Sequence, residues 1–108
     1  MKWTELNDIN QLNNINGPFI VFKHSTRCPI SGMAKRNVEL EADMIPDDVP
    51  VFYLDLIRYR EVSNQIADRY AVRHESPQIL LISNNSCAYH ASHGEISVSG
   101  VVSAIAAL

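Results

Sequence analysis

The sequence predicts a mixed α/β fold, a central sheet of parallel and antiparallel strands flanked by helices, in the order β-α-β-α-β-α-β-β-α. Three observations lead there. Apolar, β-branched runs of strand length stand at Phe19–His24, Val51–Leu56 and Gln78–Ser83. Stretches with apolar residues at helical spacing separate them. A turn-forming Asn84-Asn85-Ser86 then leads from Gln78–Ser83 into a further strand-like run, Cys87–Ser92, which reads as the return of a hairpin.

Each element has its own warrant. A short first strand is expected over Lys2–Leu6. Asp8 is placed to cap a short helix carrying Ile9, Leu12 and Ile15, closed by Asn16-Gly17-Pro18. After the strand Phe19–His24, a helix opens at Cys28-Pro29, because proline suits the first helical position, where its missing N–H is not needed. Ile30, Ala34 and Val38, with Met33 beside them, read as its apolar face, and Lys35, Arg36 and Glu39 as its polar one. Pro46 and Pro50 frame a loop before Val51–Leu56. Val62, Ile66 and Tyr70 mark the next helix, and Val98, Val101, Val102, Ile105 and Leu108 the last. Strands joined through helices pair in parallel by crossovers, and the hairpin is antiparallel. This element order is similar to that of the thioredoxin fold.

The 108 residues suit one domain, 1–108, with one core. An apolar share of 46%, a charged share of 19% and a net charge of −3 offer no electrostatic footprint for nucleic acid or an anionic membrane. The amino-terminal residues lack the apolar segment of a secretory signal, and no run approaches the roughly 20 residues that cross a bilayer. The expectation is a cytoplasmic protein whose thiols are kept reduced. Its two cysteines, Cys28 and Cys87, make neither a CxxC pair nor a zinc-ligand cluster, so no metal site is expected.

Cys28 stands where the strand Phe19–His24 gives way to a helix, the place where α/β sheets build their sites. Unpaired N–H groups of the first helical turn and the helix dipole favour a thiolate over a thiol. Cysteines so placed titrate at roughly 3.5–7.5, against about 8.5 for a free one. Lys23, His24 and Arg27 are expected to add positive character. Ser31 takes the position of a second thiol in a dithiol motif. Its hydroxyl is able to donate to the Cys28 sulfur but not to close a disulfide. A lone nucleophile can take up a thiol from a mixed disulfide and is then cleared by an outside thiol. Pro77, after Ser76, is expected to form a cis bond beside the Cys28 loop, on a strand antiparallel to Phe19–His24. Cys87 is expected at the far end of the hairpin, where six strand residues at about 3.3 Å put it roughly 20 Å from Pro77. A disulfide needs its Cα atoms within about 7 Å, so Cys87 reads as a bystander.

"STRCPIS", "RHESPQ" and "HASHGEI" together resemble the monothiol bacilliredoxin family, redox proteins of thioredoxin-like fold in the bacillithiol system. The resemblance implies that Cys28 attacks a protein–bacillithiol mixed disulfide and takes the bacillithiol onto itself. It implies that Pro77 is the cis-proline, with Ser76 beside the substrate sulfur, and that His93 and Gly94 lie at the same end of the sheet. Arg27, Pro29 and Ser31 complete the expected substrate-binding set. Arg27 departs from the smaller polar residue expected before the cysteine. The partners implied are S-thiolated cytoplasmic proteins and a bacillithiol-type small thiol as co-substrate, with no tightly bound cofactor. Two other readings stay open. One is a non-catalytic thioredoxin-like binding or adaptor domain. The other is an iron–sulfur carrier resembling the monothiol glutaredoxins, against which Pro29 counts, because that family has glycine there.

Overall fold

The computed structural model describes residues 3–108. Strands β1 (Thr4–Glu5), β2 (Phe19–His24), β3 (Val51–Asp55), β4 (Gln78–Ser83) and β5 (Ser86–Ser92) form one sheet, with order β1-β3-β2-β4-β5. The first three run parallel, β4 is antiparallel to β2, and β5 is antiparallel to β4. Helices α1 (Pro29–Leu40), α2 (Arg60–Tyr70) and α3 (Val98–Ala106) cover the two faces.

Alternation along β2 divides the core. Ile20 and Phe22 face α1 and α3, and join Ala34, Val38, Ile79, Leu81, Val98 and Val101. Phe19 and Val21 face α2, and join Leu54, Val62, Ile66, Leu80 and Ile82. A central strand covered on both sides needs apolar residues at every position, which is why its sequence reads as a continuous run. Burying one such side chain stabilises the fold by about 1.5–3 kcal/mol. The α3 helix sits close on β5: a Cβ added at Gly100 would come 2.6 Å from the Tyr89 hydroxyl oxygen.

The structure departs from the sequence reading in several places. The expected helix after Asp8 is one 3-10 turn, Ile9–Leu12. Asp8 does cap it, with Gln11 closing the capping box, but Asn13 is extended and Asn14 left-handed (φ 62°), so Ile15 lies outside. The first strand keeps only Thr4 and Glu5, and Lys2 lies outside the described residues. The hairpin turn is Asn84-Asn85 alone, both at positive φ (51° and 65°), the backbone that matches strand twist. Ser86 belongs to β5 and pairs with Ser83. Helix α3 ends at Ala106, leaving Leu108 exposed. On α1 the buried set is Ser31, Ala34 and Val38, whereas Ile30 and Met33 are 58% and 60% exposed.

A bulge interrupts the hairpin. Leu81 pairs with Tyr89 and Ile82 with Cys87, so Ala88 is an extra residue in β5. It moves Cys87 to the opposite face from Tyr89 and Ala91.

Candidate active site

The end of β2 builds the site by a short chain of local causes. The strand is apolar up to Phe22, and then Lys23 and His24, pointing to opposite faces, are followed by the polar Ser25-Thr26-Arg27. The Cys28 N–H donates to the Ser25 carbonyl at 3.2 Å, which closes a turn with Arg27 at its exposed corner. Pro29 cannot follow a helical residue easily, so Cys28 is extended (φ −108°, ψ 119°). Cys28 thereby becomes the N-cap of α1. Its carbonyl accepts the Gly32 N–H at 3.0 Å, and its half-buried side chain makes no capping bond.

Across from this turn lies the segment that enters β4. Lys23 pairs with Gln78 across the antiparallel ladder, so Pro77 falls opposite the end of β2. The Ser76–Pro77 bond is cis. Pro77 is buried, and its carbonyl accepts the His93 N–H at 3.0 Å. Beside it, the half-buried Ser76 has a hydroxyl oxygen that is buried and without a partner among the described residues. His93 (φ 55°) and Gly94 form a 3-10 turn that packs on α1. With Ile30, Met33, Ala34, Asn37 and Ile96 they line a small cleft of about 230 Å³. Its wall of exposed Ile30 and Met33 begins two residues from Cys28.

Ser31 behaves differently from the expectation. It is fully buried, and its hydroxyl oxygen accepts the Ser25 N–H at 2.9 Å and lies 2.7 Å from His24 Nδ1. The hydroxyl thus holds the turn from below rather than the Cys28 sulfur. His24 is also buried, and its ring stacks on Phe22 and lies 5.6 Å from Tyr53. Burial and the Lys35 ammonium lower its pKa below the ordinary histidine value, so the ring is neutral near pH 7. Nδ1 and the Ser31 hydroxyl share one hydrogen bond whose direction is set by the ring tautomer.

Lys23 does not lend Cys28 a charge either. It is fully buried on the α2 face, where Nζ donates to the Ser63 carbonyl at 3.2 Å and meets His74 Nδ1 at 3.3 Å. Burial lowers its pKa from 10.5 to about 8. The Ser63 hydroxyl lies 3.1 Å from the same His74 nitrogen. Gln78 is buried beside them, with Nε2 donating to the Arg73 carbonyl and Oε1 unpartnered among the described residues. Arg27 remains as the exposed cation nearest in sequence to Cys28. The expected positive surroundings from Lys23 and His24 are replaced by two buried polar clusters.

Of the residues expected at the site, Arg27, Cys28, Pro29 and Ser31 lie on the turn and first helical turn. Ser76 and Pro77 sit opposite, with His93 and Gly94 against α1. Lys23 and His24 were expected as cations beside Cys28 and are buried instead, and Gln78 and the exposed pair Ile30 and Met33 were not anticipated. The signal available was period two along β2, which sends adjacent Lys23 and His24 into opposite layers. Cys87 is half-buried at the other end of β4, where its thiol donates to the Tyr89 carbonyl at 3.3 Å. Burial pushes its pKa up. Among the described residues no helix is long and apolar enough to cross a membrane, and no group of three or more metal-ligating side chains comes together.

A half-buried cysteine at the amino end of a helix, facing a cis-proline on the antiparallel neighbour of the central strand, defines a thioredoxin-fold thiol redox protein. Solved structures agree on the fold. One described as having a thioredoxin fold is 32% identical, with a TM-score of 0.79, covering 93% of this chain and 90% of its own. Mitochondrial thioredoxin 3 from Saccharomyces cerevisiae, in its oxidized form, is 14% identical, with a TM-score of 0.72 over 98% of this chain and 95% of that one. The thioredoxin from Trypanosoma brucei brucei is 13% identical, with a TM-score of 0.72 over 98% and 89%. The family model described as monothiol bacilliredoxin BrxC matches residues 2–101, and the chain belongs to that family.

Proposed function

We propose that the protein removes a bacillithiol-type small thiol from mixed disulfides on other proteins, with Cys28 as its one nucleophile. The observation that carries this is the setting of Cys28: an uncapped N-cap side chain opposite Pro77, with a buried serine where a second thiol would resolve it. The helix N–H groups stabilise the thiolate.

In the first step the Cys28 thiolate attacks the small-thiol sulfur of the mixed disulfide. The bond between the two substrate sulfurs breaks, and the protein sulfur leaves as a thiolate that takes a proton from water. A disulfide forms between Cys28 and the small thiol. In the second step an outside thiolate attacks the small-thiol sulfur of this adduct. Cys28 leaves as a thiolate, and a disulfide of the small thiol is released for reduction elsewhere. Ser31 has no sulfur to short-circuit the sequence.

The cleft between α1 and His93-Gly94 is positioned for the protein half of the mixed disulfide, with Ile30 and Met33 as its apolar contact. Arg27, exposed on the turn, is positioned for a carboxylate of the small thiol. Ser76, next to the cis-proline, is the neighbour expected for the substrate sulfur. The test uses a protein carrying bacillithiol on one cysteine, mixed with the reduced protein. Intact mass should show the bacillithiol mass moving onto Cys28 in proportion to thiol released. Transfer to Cys87, or release with no adduct on Cys28, contradicts the proposal.

A further inference from the structure

The apolar side of α1 does not end at Ile30 and Met33. Ile30, Met33, Asn37 and Leu40 recur at spacings of three and four, which sets them in one row along the helix. Leu40 is 77% exposed, more than any other large apolar side chain among the described residues. Met44, closing the 3-10 turn Ala42–Met44 that follows α1, is 48% exposed. Single exposed apolar residues need no explanation, but a row of them that starts beside a nucleophile does. At about 1.5 Å of rise per residue, the row extends roughly 18 Å from Cys28 to Leu40. Its far end is acidic. Glu41, Asp43, Asp47 and Asp48 are exposed there, and residues 37–57 include no lysine or arginine. Glu39 is paired with Lys35 at 3.0 Å, whereas these four carboxylates enter no salt bridge among the described residues. Asp43 and Ile45, the chain neighbours of Met44, line a hollow of about 430 Å³ together with Thr4, Pro46, Asp47 and Pro50.

We propose that this row and the acidic hollow at its end are the docking surface for the protein half of the mixed disulfide, and that they select proteins carrying an apolar residue and then a lysine or arginine on one side of the thiolated cysteine. A chain joined to Cys28 by a disulfide lies against the surface next to that sulfur. Along α1 this surface is apolar as far as Leu40 and Met44, and then negative. Covering Leu40 and Met44 removes apolar surface from water, and the carboxylates draw in a cation and repel an acidic chain. An extended chain advances about 3.3 Å per residue, so it reaches Leu40 about five or six residues from its cysteine and the hollow about seven. The inference rests on the reading that Cys28 takes part in mixed disulfides with proteins.

The test measures kcat/KM of the unaltered protein for peptides with one cysteine carrying bacillithiol. One peptide has leucine five residues and lysine seven residues from the cysteine. A second has glutamate in place of the lysine, and a third has only glycine and serine around the cysteine. Each is made with the extension before the cysteine and again with it after. In one of the two directions the leucine–lysine peptide should exceed the glycine–serine peptide by about tenfold at low salt, the effect of one covered apolar side chain and one exposed ion pair. It should exceed the leucine–glutamate peptide by about threefold or more, and that gap should close in 0.5 M salt. The double variant Asp43→Lys, Asp47→Lys should reverse the preference between lysine and glutamate. Equal kcat/KM for all peptides in both directions, with bacillithiol still moving onto Cys28, overturns the docking surface and leaves the exchange reaction standing. No uptake from any peptide sinks both. Sedimentation of the protein alone should show a monomer. A dimer that Leu40→Ser dissolves would assign the row to a second copy, and would also overturn the proposal.

Discussion

At the carboxyl end of β2 lie the residues that are both polar or charged and buried among the described residues: Lys23, His24, Ser31, Ser63 and Gln78. At the opposite end, where the hairpin turns and Phe19 begins β2, Ile82, Phe19 and Leu12 are buried without one. A larger hollow of about 540 Å³ opens there, lined by Asn13, Asn14, Asn16, Asn84 and Asn85 among others. It contains no nucleophile. Each end has one cysteine. Cys28 has a polar turn before it and a sulfur with no capping bond, whereas Cys87 is tied to the Tyr89 carbonyl and pressed against the α2-side core. Burying polar groups costs stability unless they are paired, and they accumulate where their chemistry is used. The contrast teaches that cavity size is a poor guide here, and that the density of buried polar groups locates the site.

The sharpest way to break this comparison is Cys28→Ser, which should reduce thiol exchange to background in an assay that follows release of a labelled small thiol. Exchange surviving at the parent rate would transfer the chemistry to the other end.

Ser31→Cys should change the order of the reaction. The new thiol lies one helical turn from Cys28 and attacks the adduct, so release becomes independent of outside thiol, whereas the parent needs one. The substitution also leaves the Ser25 N–H without its oxygen acceptor, at a cost of about 1–3 kcal/mol in stability. Concentration-independent release in both proteins would show that another group already clears Cys28.

Lys23 sharpens the comparison through stability. Its pKa is about 8 in the fold and 10.5 when free, so between those values the unfolded chain holds more of the proton. The penalty of burying the charge is therefore complete below pH 8 and is relieved as pH rises toward 10.5, by up to about 1.4 kcal/mol per pH unit. Lys23→Met should flatten that rise in urea unfolding curves. Tyr53 and Cys87, both pushed up by burial, pull the other way but are common to parent and variant. An unchanged difference across this range would mean that Lys23 is not desolvated.

The smallest effect belongs to Cys87→Ser. Exchange should stay within about twofold, and stability should fall by about 1 kcal/mol, as the smaller, polar hydroxyl replaces sulfur in the packed layer. Iodoacetamide should accordingly label Cys28 before Cys87 in the native protein, and a reversal would place the exposed thiol at the wrong end.

Much of this was legible in the sequence for physical reasons. Strands buried on both faces leave unbroken apolar runs, and Pro29 and the Ser76–Pro77 pair mark their positions through backbone restriction. What was hidden depends on neighbours distant in sequence. Ile30 and Met33 fit a buried stripe by spacing, but the turn at His93-Gly94 covers only part of that flank of α1, so they stay at the surface. Ser31 was close enough in sequence to suggest a bond to Cys28, and only the fold shows His24 beneath it. Lys23 ended an apolar run and gave no sign that Ser63, forty residues on, would receive it.

The extra residue Ala88 also bears on how the protein behaves when crowded. With β1 only two residues long, β5 is the one extended margin of the sheet, and it contains no lysine or proline to discourage another chain from docking there. A flat seven-residue margin would be a template for strand addition between molecules. The bulge interrupts the hydrogen-bond repeat near its middle and increases the local twist, so a second β5 finds no continuous row of partners. One inserted alanine therefore favours dispersed molecules over ribbons joined margin to margin.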